Sequence, residues 1–237
     1  MFPKDCIQSI MGSSDWWIKS TGTTLSRGTL IFTFVPHVDQ IPYTIEPIGR
    51  LEPDNHDSAR VRVAPLAVDA PLKQSQLPVA AMPLHEKEVW AAYRAKKRPC
   101  LVLASTQPAV DRSLTRGTTK HATAPTILVA PYYSVDRDGS RAGYRPEFVE
   151  RVRHCEYPQF VWDCLPFTGA SNESIMRLDH IQPIGAHYKA YKLAGYQLTP
   201  GALEVIDELL YWLIWGGVRK DSLIAMYRDE IEATFSH

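Results

Sequence analysis

Proline stands at the edge of almost every β-rich run in this chain. That punctuation limits its possible folds more than any other feature. Thr29-Leu-Ile-Phe-Thr-Phe-Val35 stops at Pro36, and Cys100-Leu-Val-Leu-Ala104 follows Pro99. Thr126-Ile-Leu-Val-Ala130 stops at Pro131, and Ser174-Ile-Met-Arg-Leu-Asp-His-Ile181 ends just before Pro183. Proline fixes φ and lacks an N–H, so 18 prolines in 237 residues argue for short elements and turns rather than a long helical bundle. The runs at 100–104 and 126–130 are continuously apolar and read as buried strands. Ser174–Ile181 alternates apolar and polar residues and reads as a half-buried strand. Further strands are predicted at Arg60–Ala64 and Gln159–Phe167, and one helical turn around Glu147–Arg151.

The tail changes period. Thr199-Pro200 is a helix start, the apolar residues of Ala202–Trp215 fall at helical spacing, and Gly216-Gly217 is the stop. Asp221-Ser222 can cap a last helix over Leu223–Phe235. Strands first and helices last predict a mainly β fold, a small barrel or strongly bent sheet with C-terminal helices packed at one end.

A hydrophobic fraction of 45% is ample for a core. Formal net charge is zero, but it is unevenly spread: residues 92–153 hold 12 Lys/Arg against 5 Asp/Glu, leaving 14 and 21 for the rest. A basic middle in an acidic frame fits a surface facing a polyanion, or a solvated loop-rich face. Cys6, Cys100, Cys155 and Cys164 form no C-x-x-C pair. Reduced structural cysteines with no metal site and no cofactor are expected. Met1–Ile18 lacks the basic and apolar regions of a signal peptide, and Leu209–Trp215 is too short to span a bilayer. Both point to a soluble cytoplasmic protein.

Four ordered pieces carry a family resemblance. They are Arg27-Gly28 with the strand after it, Lys97-Arg98-Pro99-Cys-Leu-Val-Leu, Ile127-Leu-Val-Ala-Pro131-Tyr-Tyr-Ser134, and Ser174-Ile-Met-Arg177-Leu-Asp179-His-Ile. Together they resemble the PemK/MazF toxins across about half of the chain. The family's Pro-x-Thr-Ser appears here as Pro-Tyr-Tyr-Ser, so Tyr133 stands at the Thr position. His180 stands where the family often has Gln. The resemblance implies an SH3-like barrel over residues 27–185, with insertions at about 41–91 and 135–158. An N-terminal extension, 1–26, and a helical segment, 186–237, would flank it.

The resemblance also implies a metal-independent endoribonuclease, a toxin inhibited by a cognate antitoxin protein, commonly a homodimer, that cleaves single-stranded RNA. Such chemistry sets the ribose 2′-hydroxyl against the adjacent phosphate. It needs a base, an acid and cations for the developing charge. On the family pattern the catalytic candidates are Arg177, Asp179, Arg98 and Ser134. Asp179 would be the base and Arg177 the acid or phosphate holder. Charge stabilisation suits Arg177 better, since a guanidinium is a poor acid. On an unbroken strand, Arg177 and Asp179 two residues apart would leave one face, as a functional couple or a plain surface ion pair. The family's histidine loop has two candidates here, His37 and His85. Substrate contacts are expected from Tyr132, Tyr133, Lys97 and Arg137, since aromatic rings interleaved with cations suit single-stranded RNA. The alternative is a catalytically silent barrel that binds nucleic acid or protein.

Overall fold

The computed structural model describes residues 2–10, 16–69, 81–84, 88–105, 110–111, 113–117, 125–136, 143–167 and 173–235. The chain divides into two compact units, Met1–Phe34 with Lys97–His237, and Val35–Lys96. The fold is mainly β, with antiparallel ladders and a few helices.

The larger unit is built on an eight-stranded sheet. Its strands are β1 (Trp17–Lys19), β2 (Thr29–Pro36), β6 (Ala95–Ala104), β7 (Thr126–Ser134), β8 (Phe160–Cys164), β9 (Glu173–Arg177), β10 (Gln182–Gly185) and β11 (Tyr191–Leu198). The order is β1-β11-β2-β6-β7-β9-β8, with β10 pairing β7 off this path. Among the described residues no ladder joins β1 to β8, so no closed barrel is found.

Pro131 does not end its strand as expected; β7 runs through it to Ser134. β10 pairs β7 as far as Val129, and β9 takes over from Tyr132. The residue that cannot donate an N–H therefore lies where β7 changes partner, at the least cost to the ladders. Ser174–Ile181 is not one strand either. β9 stops at Arg177, and Leu178–His180 forms a 3-10 turn.

The helices are α1 (Ile7–Ile10), α2 (Pro146–Arg153), α3 (Pro200–Trp215) and α4 (Leu223–Phe235). The α3 signals act as the sequence suggests. The Thr199 side chain accepts from the Ala202 N–H, and Gly216 closes the helix in the left-handed region at φ 78°. Ser222 caps α4 through the Ala225 N–H, and the Glu208 carboxylate of α3 accepts from the Leu223 and Ile224 N–H groups. One core joins helices to sheet: Ala202, Val205, Ile206 and Leu209 of α3 and Ile224 and Tyr227 of α4 pack with Leu30, Leu101, Tyr132 and Met176. Gly28 explains its own motif. It has φ +83°, and an added Cβ would meet Leu203 Cδ1 at 3.2 Å. Residues 1–26 contribute more than an appendage would, supplying β1 and the buried Trp16. Residues 186–237 open with β11, a strand the sequence pattern missed.

The smaller unit holds a three-stranded sheet in the order β4-β3-β5, from β3 (Tyr43–Gly49), β4 (Arg60–Pro65) and β5 (Trp90–Ala92). Its β4 is the strand expected at 60–64. Among the described residues no helix is long and apolar enough to cross a membrane.

Candidate functional site

Alternation along β7, β8 and β9 sorts their side chains onto two faces. Tyr132 pairs with Met176, and Met176 with Val161. These three belong to the core under α3 and α4. Tyr133 pairs with Ile175 on the opposite face, where Arg177 pairs with Phe160. Part of that second face is covered by α2, whose Val149 and Val152 pack on Ile175 and Trp162.

Arg177 is the last residue of β9. The chain then bends: the Leu178 N–H donates to the Gln159 carbonyl at 2.9 Å, and the Leu178 side chain is buried in the core. The bend returns both Asp179 and His180 to Arg177. Arg177 Nε donates to Asp179 Oδ1 at 2.7 Å and Nη2 to Oδ2 at 2.5 Å, a fork on a carboxylate. The pair forms, but through a turn and not through a shared strand face. Arg177 Nη2 also lies 2.8 Å from His180 Nε2, and Tyr133 Oη lies 2.8 Å from His180 Nδ1.

Arg98 completes the cluster. Cys100 of β6 pairs with Pro131, so the same register carried two residues back sets Arg98 opposite Tyr133. Its guanidinium carbon lies 4.0 Å from the centroid of the Tyr133 ring, and that of Arg177 lies 5.8 Å from the same ring and 5.0 Å from Phe160. Arg98 Nε is buried without a hydrogen-bond partner. Two guanidinium groups therefore lie near one phenol ring, beside a carboxylate and an imidazole.

Partial burial opposes the charge on Asp179, but the Arg177 hydrogen bonds and charge, together with His180, outweigh it. They hold its carboxyl below the ordinary carboxylate range. The Asp179 hydrogen bonds in turn raise the Arg177 guanidinium above its ordinary value. The cluster thus presents fixed positive charge and a carboxylate that stays ionised.

The structure brings together Arg98, Tyr133, Arg177 and Asp179. It leaves others apart. Tyr132 was expected to touch substrate, but it is 2% exposed and its hydroxyl donates to Asp163 Oδ2 at 3.1 Å inside the core. Strand alternation gives it the face opposite Tyr133. Ser134 pairs with Ser174 and, by the same alternation, leaves the Tyr132 face at the exposed end of β7. Lys97 turns away from Arg98, its Nζ 5.7 Å from the Phe32 ring. His37 belongs to the smaller unit, where it lines a cleft of about 180 Å³ with Gln40, Tyr43, Tyr93 and Arg94. His85 and Arg137 lie outside the described residues.

Two groups were underrated in the sequence. His180 reads as facing away from Asp179 if the strand continues; only the 3-10 turn makes it a neighbour. Asp163 reads as one polar residue in an apolar strand. It is wholly buried, and burial pushes its carboxyl up to about 6, against hydrogen bonds from Trp17, Tyr132 and the Cys164 N–H. An Asp amid a strand such as Phe-Val-Trp-Asp-Cys is itself a signal, since a buried carboxylate needs named partners. No family model matches the chain, and no curated protein matches it.

Proposed function

We propose that the Arg98–Tyr133–Arg177–Asp179 cluster is the site of a metal-independent endoribonuclease acting on single-stranded RNA, in a PemK/MazF-like barrel that serves as the toxin of a toxin–antitoxin pair. One observation carries the reading: two guanidinium groups lie against a single phenol ring, and one of them is forked onto a carboxylate. Guanidinium groups hold phosphate, and an aromatic ring beside them offers a base a surface to stack on. The four resemblance motifs support it further, since they fall on β2, β6, β7 and the end of β9.

In this reading Asp179 removes the proton of the ribose 2′-hydroxyl. The 2′-oxygen attacks phosphorus, and Arg98 and Arg177 stabilise the charge on the phosphorane oxygens. The P–O5′ bond breaks, the 5′-oxygen takes a proton from solvent water, and a 2′,3′-cyclic phosphate remains. A cognate antitoxin protein would cover this site, and a second copy of the chain would pair with the barrel.

The test is cleavage of single-stranded RNA by purified protein in EDTA. The wild type cuts and leaves cyclic phosphate ends, while Arg177→Ala and Asp179→Ala do not. Intact RNA with folded wild-type protein overturns the nuclease. A second reading is a binding module without chemistry. It is favoured by the double grip of Arg177 on Asp179, which depresses the basicity a general base requires. In that case RNA is bound but uncut, and Arg98→Ala and Arg177→Ala weaken binding.

A further inference from the structure

We propose that His180 is a positioning residue that holds Arg177 toward Tyr133 only while its imidazole is neutral, so that mild acid breaks that contact and leaves the guanidinium on Asp179. The inference rests on the Arg177 site just described, but not on the identity of the substrate.

Arginine has five N–H donors and no acceptor. Arg177 Nη2 lies 2.8 Å from His180 Nε2, so Arg177 donates and Nε2 accepts with a bare lone pair. A neutral imidazole with a bare Nε2 carries its hydrogen on Nδ1. Nδ1 lies 2.8 Å from Tyr133 Oη, so Nδ1–H donates to the phenol oxygen. One arginine contact thereby fixes the tautomer, and the tautomer fixes the direction of the tyrosine hydrogen bond. The imidazole is a wedge between the Tyr133 side chain of β7 and the Arg177 side chain of β9, with an acceptor toward the cation and a donor toward the phenol. Tyr133 also packs edge-on against the ring, centroids 5.6 Å apart.

Protonation changes one end of the wedge. A hydrogen on Nε2 would point at the Arg177 N–H groups, setting donor against donor and cation against cation at hydrogen-bond distance. Among the described residues, the charged and titratable groups around His180 come from three strands, its own turn and the segment before α2. Arg177 of β9 faces the imidazole directly, and Arg98 of β6 lies against the Tyr133 ring beside it. Asp179, next in the chain, is the anion. Tyr133 of β7 contributes its phenol, and Tyr144 lies beside Arg177. With both imidazole nitrogens donating, Asp179 is the one anion among these groups and becomes the acceptor that His180 and Arg177 compete for. Arg177 loses the contact that held it toward Tyr133. Glutamine at this position would offer an amide oxygen to Arg177 and an amide N–H to Tyr133 at every pH, so it separates the wedge from its titration.

The experiment is ¹⁵N NMR of the full chain, without RNA, from pH 8 to pH 5. The His180 signal is assigned by its loss in His180→Gln. At pH 8 it should show protonated Nδ1 and bare Nε2. On acidification it should titrate to the doubly protonated form, and the Arg177 Nε–H signal should shift in the same step. In His180→Gln the Arg177 signal should hold its pH 8 position throughout. An Nε2–H tautomer at pH 8, or an Arg177 signal that ignores the His180 step, overturns the proposal. So does the same acid shift of Arg177 in His180→Gln. None of these readings depends on RNA cleavage, so the nuclease can fail while the wedge stands, and the wedge can fail while the nuclease stands.

Discussion

Tyr132 and Tyr133 are neighbours on β7 and lead opposite lives. Tyr132 is buried, with its hydroxyl on the carboxylate of Asp163 and its ring among α3 and α4 core residues. Tyr133 is half-buried, with its hydroxyl on His180 and its ring near two guanidinium groups. One step along a strand exchanges a buried hydrogen bond to Asp163 for a place in the Arg98–Arg177 cluster, because side chains alternate across the sheet. The contrast teaches that an aromatic pair in a candidate site motif is not two candidates. At most one of the pair can face the site, and the partner of each hydroxyl tells which.

The largest expected effect tests that division. Tyr132→Ala opens a cavity in the core and strands the buried Asp163, so it should destabilise the fold by about 3–5 kcal/mol in urea unfolding. Tyr133→Ala should cost about 1 kcal/mol or less by the same measurement and weaken ligand binding instead. Equal losses from the two variants would break the comparison.

The second test asks the same question of β6, where Lys97 and Arg98 alternate as the tyrosines do. Arg98→Ala and Arg177→Ala should each reduce affinity for single-stranded RNA by roughly tenfold, about 1.4 kcal/mol, with a shallower salt dependence. Lys97→Ala should change affinity by less than about twofold, because its ammonium sits over Phe32 on the other face. Filter binding at two salt concentrations reads both.

The two faces also carry carboxylates that titrate in opposite senses. Asp163 is raised to about 6, above its ordinary value of 3.8. Its contribution to stability is therefore complete below pH 3.8 and is lost as pH rises through 6, a change on the order of 3 kcal/mol. Asp179 is lowered, so its contribution is present above 3.8 and is lost as pH falls through its depressed value. Unfolding free energies measured from pH 3 to pH 8 should separate them. The difference between wild type and Asp163→Asn should change across pH 4–6, with the variant gaining on the wild type as pH rises. The difference for Asp179→Asn should change only on the acid side of pH 4. A flat Asp163→Asn difference would mean that this carboxyl is not held as its burial implies.

Much of this was legible in the chain and some was not, for physical reasons. The strands at 29–35 and 126–130 and the helices α3 and α4 were readable because apolar runs and capping residues mark them, though β7 continues through Pro131 to Ser134. Tyr191–Leu198 was missed because Gly195 breaks an already weak alternation. Motif order names Arg98, Ser134, Arg177 and Asp179 together with Tyr133 as a substrate contact, and of these Ser134 falls on the other face. Their geometry was not legible, because a 3-10 turn replaces the strand after Arg177, and no alternation rule foresees a bend. Tyr132 was misassigned because proximity in the chain outweighed strand parity. Asp163 gains its meaning from Trp17 and Tyr132, far away in sequence, and His180 from a local turn that returns it to Arg177.

The smallest expected effect isolates one hydrogen bond on the second face. Tyr133→Phe keeps the ring on which Arg98 stacks and removes only the oxygen that accepts from His180 Nδ1. An imidazole that loses this partner remains half-buried, so the net cost should be about 0.5–1 kcal/mol or less in unfolding. The stack should persist, since cation–π attraction depends on the ring face and phenylalanine offers one as well. The Arg177 contact to Nε2 should persist too, because the change does not touch Arg177. The ¹⁵N spectrum should therefore still show the Nδ1–H tautomer at pH 8, and Arg177 should still shift in step with His180 on acidification. Loss of the tautomer in Tyr133→Phe would mean that the phenol, and not the guanidinium, sets the protonation pattern of the cluster. The order of dependence from β9 to β7 would then run the other way.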